Sequence, residues 1–247
     1  MVEIPQVAEL RALGDEAKAV EAAAYHKAKR VYLGVSVPEI DELAKGWRAD
    51  LDVEGRLELA QALWETDIHE ARVAAAKLLT QARIRPDDGA WRLIASWVPD
   101  FNGWAIADQV MKAGEKRLVA DPSRLDEVET WLVHPSFWVR RAALVGTLPW
   151  THLRNPKPDE LAQRERILGW LERLADDRDG FVQKAIGWWL RDLSKHEPQR
   201  VRDWLEAHGA RLKPFARREA LRRIGDLPGM DDQPGTEDLP PVDDQPS

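Results

Sequence analysis

The sequence predicts an all-α protein built as an α-helical solenoid. The chain reads as helix almost throughout, and Pro or Gly interrupts it about every 10 to 20 residues. No alternating strand pattern with turn dipeptides appears. Similar segments also recur at a regular spacing, which is typical of repeat architectures. At 247 residues, the chain is long enough for one such array.

Five nine-residue segments align without gaps and define the repeat. They are ARVAAAKLL from 71, AIADQVMKA from 105, VRRAALVGT from 139, VQKAIGWWL from 182 and ARREALRRI from 216. Their starts lie 34, 34, 43 and 34 residues apart, which leaves room for one pair of helices per unit. The spacing and the V-R-x-A pattern favour HEAT-like repeats, whose usual length is about 40 residues.

Each segment has a predicted core side and a predicted open side. Because a helix turns about 100° per residue, columns 1, 5, 6 and 9 fall together, and they are mostly apolar. Column 2 is predicted to form a ladder of bonds between repeats, and it reads Arg72, Ile106, Arg140, Gln183 and Arg217. Columns 3, 4 and 7, with the residue before column 1, are predicted to line a concave groove. That face holds Trp104, Asp108, Arg141, Lys184, Trp188, Arg218 and Arg222.

Single residues on this face have an ordinary structural interpretation as well. Asp108 is an exception in a column otherwise held by alanine, yet a lone helical acid is usually a surface group or an ion-pair partner. The position of Trp104 is aromatic in other units too, which favours packing: Trp138, Phe181 and Phe215. Trp188 and Trp189 point about 100° apart, so both cannot be core in the same way. Twelve Trp against four Phe and two Tyr favour recognition by some tryptophans.

The net charge of −7 is unevenly distributed and divides the chain into two regions. Residues 226–247 hold seven acids and no bases, so residues 1–225 sum to zero. Within that body, residues 181–225 hold 11 Lys and Arg against 5 Asp and Glu. The acidic end is rich in Pro, Asp and Gly, so it is predicted to be a disordered tail that either mimics nucleic acid or keeps the protein soluble. Residues 1–225 are predicted to form one repeat domain.

Composition excludes several classes of site. The chain has no cysteine, which excludes disulfides, iron–sulfur clusters and Cys-ligated zinc, and suits a reducing cytosol. The six histidines show no HExxH-type spacing and no phosphate-binding glycine loop occurs, so neither a metal nor a cofactor is expected. No apolar run is long enough to span a membrane and the N-terminus lacks a signal-peptide pattern. A cytoplasmic monomer, associated with the nucleoid in a prokaryote, is therefore expected.

The predicted groove combines residues that suit duplex DNA with one carboxylate. Lys and Arg neutralise phosphates, and indole faces pack on a sugar or beside a cationic base. A purine alkylated at N3 or N7 already carries positive charge, so it can leave without a proton donor. The paired carboxylates of ordinary glycoside hydrolysis are then unnecessary. One aspartate can stabilise the oxocarbenium-like sugar and orient the attacking water.

Several motifs also carry a resemblance to a known family. They are YHKAKRVYLGVSVPEIDELAKGW (25–47), GWAIAD (103–108), WVRRAA (138–143), QKAIGWWLR (183–191) and LKPFARREALRRI (212–224). With these motifs, most of residues 20–225 resembles the DNA alkylation-repair glycosylases with HEAT-like repeats, the AlkD-like family. The QKAIGW and REA segments, in this order and at this distance, are the most specific part.

The resemblance implies a monofunctional glycosylase that removes cationic N3- and N7-alkylpurines from double-stranded DNA while the base stays largely stacked. By the same resemblance, Asp108 is the catalytic carboxylate, and Trp104 and Trp188 flank the sugar of the lesion nucleotide. Arg141 binds phosphate and Tyr25 lies near the same cleft. The other expected DNA-binding residues are Lys29, Lys184, Arg218 and Arg222.

The chain departs from the family pattern at three positions near the expected cleft. Gly103 and Ala105 stand where the family often has an aromatic residue and an acid, and Ser36 stands where a larger polar residue is common. These changes reduce the polar groups around the cleft, so we expect a narrower substrate range or a lower rate.

Two other functions use the same groove. The protein can be a non-catalytic binder of damaged or branched DNA, or a HEAT-repeat scaffold that binds proteins. An acid facing phosphates lowers affinity by repulsion, which argues against a pure DNA binder. The basic C-terminal end of the repeat domain argues against the scaffold, and a steep salt dependence of DNA binding would separate these two alternatives.

Overall fold

The structure is a computed structural model that describes residues 4–225, so the predicted tail at 226–247 lies outside the described residues. Within them, thirteen α-helices follow one another: α1 (Pro5–Ala12), α2 (Glu16–His26), α3 (Val37–Asp50), α4 (Val53–Glu65), α5 (His69–Leu79), α6 (Asp88–Trp97), α7 (Trp104–Ala120), α8 (Leu125–Thr130), α9 (Phe137–Val145), α10 (Pro158–Arg173), α11 (Gly180–Leu193), α12 (Pro198–His208) and α13 (Pro214–Leu221). The described part has no β-strand, only an isolated bridge between Val31 and Ile68. The predicted all-α, helical-repeat fold class is confirmed.

The helices are arranged in pairs that stack in order. The five aligned segments lie in α5, α7, α9, α11 and α13, and each is preceded by a partner from α4, α6, α8, α10 or α12. We call the helices that carry the segments the second helices, and their partners the first helices. Each second helix packs against the next, from α5 on α7 to α11 on α13, and α3 packs on α5 in the same way. The second helices therefore form one continuous layer, and the first helices lie beside it. Between residues 4 and 225, no helix is both long and apolar enough to cross a bilayer.

The predicted core columns are buried. Column 1 is represented by Ala71, Val139 and Val182, none more than 1% exposed. The apolar residues of columns 5, 6 and 9 are likewise buried: Ala75, Ala76, Leu79, Ala143, Leu144, Ile186 and Leu190. The helical period therefore identified the side of each second helix that packs in the core.

The open face is narrower than the helical period predicts. Columns 3 and 4 contain residues that are almost completely buried, namely Val73, Ala74, Ala107, Ala142 and Ala185. The helices α5, α7, α9 and α11 each pack between two others of the layer, so both of their flanks are covered as well as the side that faces the first helices. The prediction that these whole columns face a groove was wrong, because it treated each helix as having one buried side.

Column 2 forms bonds between repeats in two of the five units. Arg140 Nε donates to Asp177 Oδ2 at 2.7 Å, just before α11. The amide of Gln183 donates to the carbonyl oxygen of Ala175 at 2.9 Å. Its Oε1 accepts from the backbone N–H of Lys213 at 2.9 Å. The bonds of Arg140 to Asp177 and of Lys213 to Gln183 tie α9 and α11 to the connection that leads into the next second helix, whereas the bond to Ala175 stays within one pair.

Arg72 bonds instead within its own pair of helices. Its Nε donates to the carbonyl oxygen of Trp64 at 3.1 Å. Its Nη2 lies 3.2 Å from Asp67, in the turn between α4 and α5.

A buried carboxylate fixes the connection between α2 and α3. Glu70, in α5, is 2% exposed. It accepts the backbone N–H groups of Leu33 at 2.9 Å and Gly34 at 2.8 Å. Gly34 has φ +77°, and a Cβ there would lie 2.1 Å from the carbonyl oxygen of Asp15. Only glycine fits this turn without a shift of the backbone. Two residues later, Ser36 caps α3, with its Oγ 2.6 Å from Glu39 Oε2.

Nine of the twelve tryptophans pack in the interior, and this explains most of the unusual aromatic composition. The buried nine are Trp47, Trp64, Trp91, Trp97, Trp131, Trp150, Trp170, Trp189 and Trp204. Several of their indole N–H groups bond to a neighbouring repeat, such as Trp91 Nε1 to Glu127 Oε2 at 2.8 Å. The other three, Trp104, Trp138 and Trp188, are partly exposed and line one cavity.

Candidate functional site

A cavity of about 290 Å³ lies among α2, α7, α9 and α11. Ten residues line it: Tyr25, His26, Lys27, Asn102, Trp104, Trp138, Arg141, Phe181, Lys184 and Trp188. Trp104, Trp138 and Phe181 occupy the same column of the repeat, the position before column 1, at the N-terminal ends of three successive second helices. Since those ends lie side by side in the layer, the repeated aromatic position forms one wall. We call this cavity the cleft.

The predicted catalytic carboxylate is held by a two-point bond to Arg141. Arg141 Nε donates to Asp108 Oδ1 at 3.0 Å, and Arg141 Nη2 donates to Asp108 Oδ2 at 2.6 Å. This is the parallel geometry in which a guanidinium fixes both the place and the plane of a carboxylate. The Asp108 side chain remains 21% exposed, so it is neither sealed in the core nor free to rotate.

Arg141 itself is almost completely buried and its donors are used inside the protein. Its side chain is 1% exposed. Besides Asp108, it donates from Nη1 to the carbonyl oxygen of Phe181 at 3.0 Å. Its guanidinium carbon lies 4.7 Å from the centre of the Trp188 ring. Arg141 thus joins the carboxylate, the aromatic wall and the indole of α11 into one rigid unit.

Three cations line the cleft, namely Lys27, Arg141 and Lys184, and none of the lining residues is an acid. Lys184 Nζ lies 5.3 Å from the centre of the Trp188 ring. Burial lowers the pKa of Lys184, the charge of Arg141 lowers it further, and Glu219 and Asp108 oppose the shift. An anionic ligand would relieve this repulsion, so the cleft favours a group such as a phosphate.

The end of α2 and the start of α7 form the part of the cleft surface around Tyr25 and Trp104. Tyr25 meets Trp104 edge to face, with ring centres 5.9 Å apart. His26 lies behind them, 5.4 Å from Trp104 and stacked on His69 at 4.6 Å. Burial lowers the pKa of His69 to about 3, and the nearby His26 and Arg30 contribute to that shift. The pKa of His26 is also lowered, first by burial and then by Arg30.

This histidine pair predicts a loss of stability in mild acid. Both pKa values are lower in the folded protein, so below the ordinary value near 6.5 the unfolded chain binds protons that the folded chain does not. The contribution of His69 is fully present above about pH 6.5. It falls by at most about 1.4 kcal/mol per pH unit as the pH drops towards about 3. Urea unfolding at about pH 7 and pH 5 measures the difference.

His69→Phe keeps a ring in the stack but cannot titrate, so its stability should depend less on pH than that of the wild type. An equal pH dependence in the two proteins would contradict this assignment.

The structure brings together most of the residues predicted for the site. Tyr25, Trp104, Arg141, Lys184 and Trp188 line the cleft, whereas Asp108 is not a lining residue and is connected to the cleft through its bonds to Arg141. Lys29, Arg218 and Arg222 are exposed but do not line the cleft. Five lining residues were not predicted to take part: His26, Lys27, Asn102, Trp138 and Phe181. The sequence did contain a signal for Trp138 and Phe181, because they occupy the same column of the repeat as Trp104.

The departures from the family pattern lie behind the cleft or away from it. Ser36 caps α3 and does not line the cleft. Gly103 and Ala105 border a small separate void beside His26, Arg30 and His69. A Cβ at Gly103 would lie 3.9 Å from Ala28 Cβ, which is an ordinary van der Waals contact, so the structure accommodates a Cβ at this position. The cleft surface therefore does not depend on these three residues.

A sequence model of one protein family, described as DNA alkylation repair enzyme, matches residues 6–224. No curated protein matches the chain significantly. Among solved structures, one described as a predicted DNA alkylation repair enzyme from Enterococcus faecalis is 23% identical, with a TM-score of 0.73. That match covers 87% of this chain and 98% of the other.

Two structures from Streptococcus mutans are similar as well. AlkD2 is 22% identical, with a TM-score of 0.59, and the match covers 78% of this chain and 91% of the other. The protein smu.31 from strain UA159 is 22% identical, with a TM-score of 0.59, over 77% of this chain and 93% of the other. At these identities, the solved structures establish a shared fold.

Proposed function

The chain belongs to the DNA alkylation repair enzyme family, and we propose that it is a monofunctional DNA glycosylase acting on duplex DNA. Its substrates are purines that carry positive charge after alkylation at N3 or N7. The observation that carries the proposal is the carboxylate of Asp108, fixed by Arg141, which itself lines a cleft of cations and aromatic rings. The family membership supports a role in DNA repair.

In the proposed complex, the cleft receives the sugar and phosphate of the lesion nucleotide. Trp104 and Trp188 offer indole faces to the sugar, and Lys184 offers positive charge to the backbone. The alkylated base can remain in the duplex, because the chemistry occurs at C1′ of the sugar. Extrusion of the base, which many glycosylases require, is not part of the proposal.

The bond that breaks joins C1′ to the purine nitrogen. Its electron pair moves into the cationic ring, so the base leaves as a neutral molecule without receiving a proton. The sugar becomes oxocarbenium-like, and the anion of Asp108 stabilises the developing charge. A water held by Asp108 attacks C1′ and loses its proton to the carboxylate. The products are a free alkylpurine and an abasic site in an uncut strand.

Arg141 acts as a positioning residue in this proposal. Its two bonds hold the plane of the Asp108 carboxylate before DNA arrives, so the carboxylate needs little reorganisation during the reaction. Its burial indicates that contact with a backbone phosphate is secondary to this role. The phosphate contact predicted for Arg141 from the sequence remains a proposal.

Incubation with duplex DNA containing N7-methylguanine and N3-methyladenine tests the function. We expect both free bases to be released, and the DNA strand to stay whole until alkali cleaves the abasic sites. Chromatography with mass detection measures the bases, and a denaturing gel follows the strand. Unmethylated duplex DNA is the control for both measurements.

The two other functions give different results in the same assay. Salt-dependent binding of the methylated duplex without release of any base would identify a non-catalytic DNA binder. Absence of DNA binding at low salt would identify a protein-binding scaffold. Either result contradicts the glycosylase proposal.

A further inference from the structure

Lys27 ends α2 in a backbone conformation that lysine rarely adopts. It is the C-cap of the helix, with φ 58° and ψ 6°, and its N–H donates to the carbonyl oxygen of Ala23 at 3.1 Å. Helices often end in this left-handed conformation, but usually with glycine, because a Cβ is strained there. A lysine at this position costs on the order of 1 kcal/mol relative to an unstrained residue. The protein therefore retains a side chain where the fold favours none.

The side chain of Lys27 lines the cleft and has no partner within residues 4–225. It is exposed, and the described part of the chain offers its ammonium no ion pair or side-chain hydrogen bond. The neighbouring cation Arg30, by contrast, is buried and bonded to Asn102. The strain at Lys27 is therefore not offset by any contact that the folded protein itself supplies.

The other two cations of the cleft are less available to a phosphate. Arg141 donates to Asp108 and to the carbonyl oxygen of Phe181, and it is buried. Lys184 is half-buried beside Trp188, and its pKa is lowered by burial and by Arg141. Lys27 is the exposed member of the three, so its charge carries little desolvation cost. It lies at the end of α2, beside Tyr25, whereas Arg141 and Lys184 belong to α9 and α11.

We propose that Lys27 binds a backbone phosphate next to the lesion nucleotide, and that the left-handed end of α2 directs its side chain into the cleft. This inference rests on the proposed function of the cleft as a DNA site. It adds a phosphate ligand at the end of α2 to the positive charge that Lys184 supplies from α11.

Lys27→Gly tests the proposal, because glycine relieves the backbone strain while it removes the charge. We expect equal or greater resistance to urea, but roughly tenfold weaker binding of a short duplex. The slope of log Kd against log salt should fall by about one unit. Lys27→Arg should restore binding. The matched control is Lys45→Ala, since Lys45 is an exposed lysine outside the cleft, 3.5 Å from Glu42, and it should bind as the wild type does.

A duplex with one neutral methylphosphonate linkage locates the contact. The duplex carries a single N7-methylguanine, which fixes the register, and moving the neutral linkage relative to it should reveal a position that weakens the wild type but not Lys27→Gly. Unchanged affinity and salt slope in Lys27→Gly, or an equal effect of every linkage on both proteins, would overturn the inference. So would a clear loss of folding stability in Lys27→Gly, which would mark Lys27 as structural.

The affinity and salt-slope assays use unalkylated DNA, and the linkage assay is read as binding before base is released, so none of them depends on release of the base. A protein that binds through Lys27 but releases no base would contradict the glycosylase proposal alone. A protein that releases methylated bases, while its Lys27→Gly variant keeps the wild-type affinity and salt slope, would contradict this inference alone.

Discussion

Asp108→Asn should release alkylated purines about a hundredfold more slowly than the wild type, on the scale of one lost charge-stabilising group. The variant lacks the anion that the proposed mechanism places beside the cationic sugar. Its amide N–H₂ group also replaces one of the two carboxylate oxygens that accept from Arg141, either Oδ1 or Oδ2. One of the two hydrogen bonds is therefore lost. Single-turnover release of N7-methylguanine measures the chemical step directly. Binding of the duplex should persist, since the lost charge is one that repels phosphates.

Two controls separate chemistry from folding in this experiment. The variant leaves the buried guanidinium of Arg141 without an anionic partner, so its urea unfolding curve must show that it is folded at the assay temperature. Arg141→Lys keeps the positive charge but cannot form the two-point bond, so we expect a smaller loss of release with Asp108 intact. If folded Asp108→Asn released base at the wild-type rate, Asp108 would have no part in the mechanism.

Glu70→Leu should lower the free energy of unfolding by about 4 kcal/mol, because each buried N–H left without an acceptor costs roughly 1–3 kcal/mol. The two groups concerned are the backbone N–H groups of Leu33 and Gly34. Leucine has a similar size, so the loss reports the hydrogen bonds more than the packing. Urea unfolding measures the stability, and hydrogen exchange at these two amides should become faster.

Glu70→Gln is the matched comparison, since its amide oxygen can still accept from one of the two N–H groups. Its loss of stability should be smaller than that of Glu70→Leu. An unfolding midpoint for Glu70→Leu equal to that of the wild type would show that the connection between α2 and α3 does not depend on this carboxylate.

The repeat and its core could be read from the sequence because both follow from local periodicity. Columns such as Ala71, Val139 and Val182 depend only on the turn of the helix and on the spacing of the units. The burial of Ala74 and Ala142 could not be read in this way. It depends on the second helices packing side by side, and that is a property of the whole layer rather than of one segment.

The residues of the cleft were predictable where a motif or a column carried them. Trp104, Trp188 and Asp108 followed from motifs, and Trp188 indeed lines the cleft while Trp189 is buried. The shared aromatic column was interpreted as packing, although three of its members form one wall of the cleft. Lys27 lies in the motif that begins at Tyr25, but it was not predicted as a site residue, because its importance lies in a left-handed backbone that lysine does not normally indicate.

Glu70 and Arg141 show a different limit. Each resembles an ordinary charged residue of a helix, but each is buried and bonded to partners far away in the sequence. Glu70 binds Leu33 and Gly34. Arg141 binds Asp108 and Phe181. No pattern within one repeat contains such a pairing. It becomes visible only when the units are placed next to each other.

The stacking of the helix pairs has a consequence for how the binding surface can change. The distance across the cleft, from α2 to α11, is the sum of the steps from one unit to the next. No single residue sets this distance. Small adjustments among the first helices, where Trp91 bonds to Glu127, would therefore alter the width of the cleft formed by the second helices. Substitutions that never touch a ligand can thus widen or narrow the cleft.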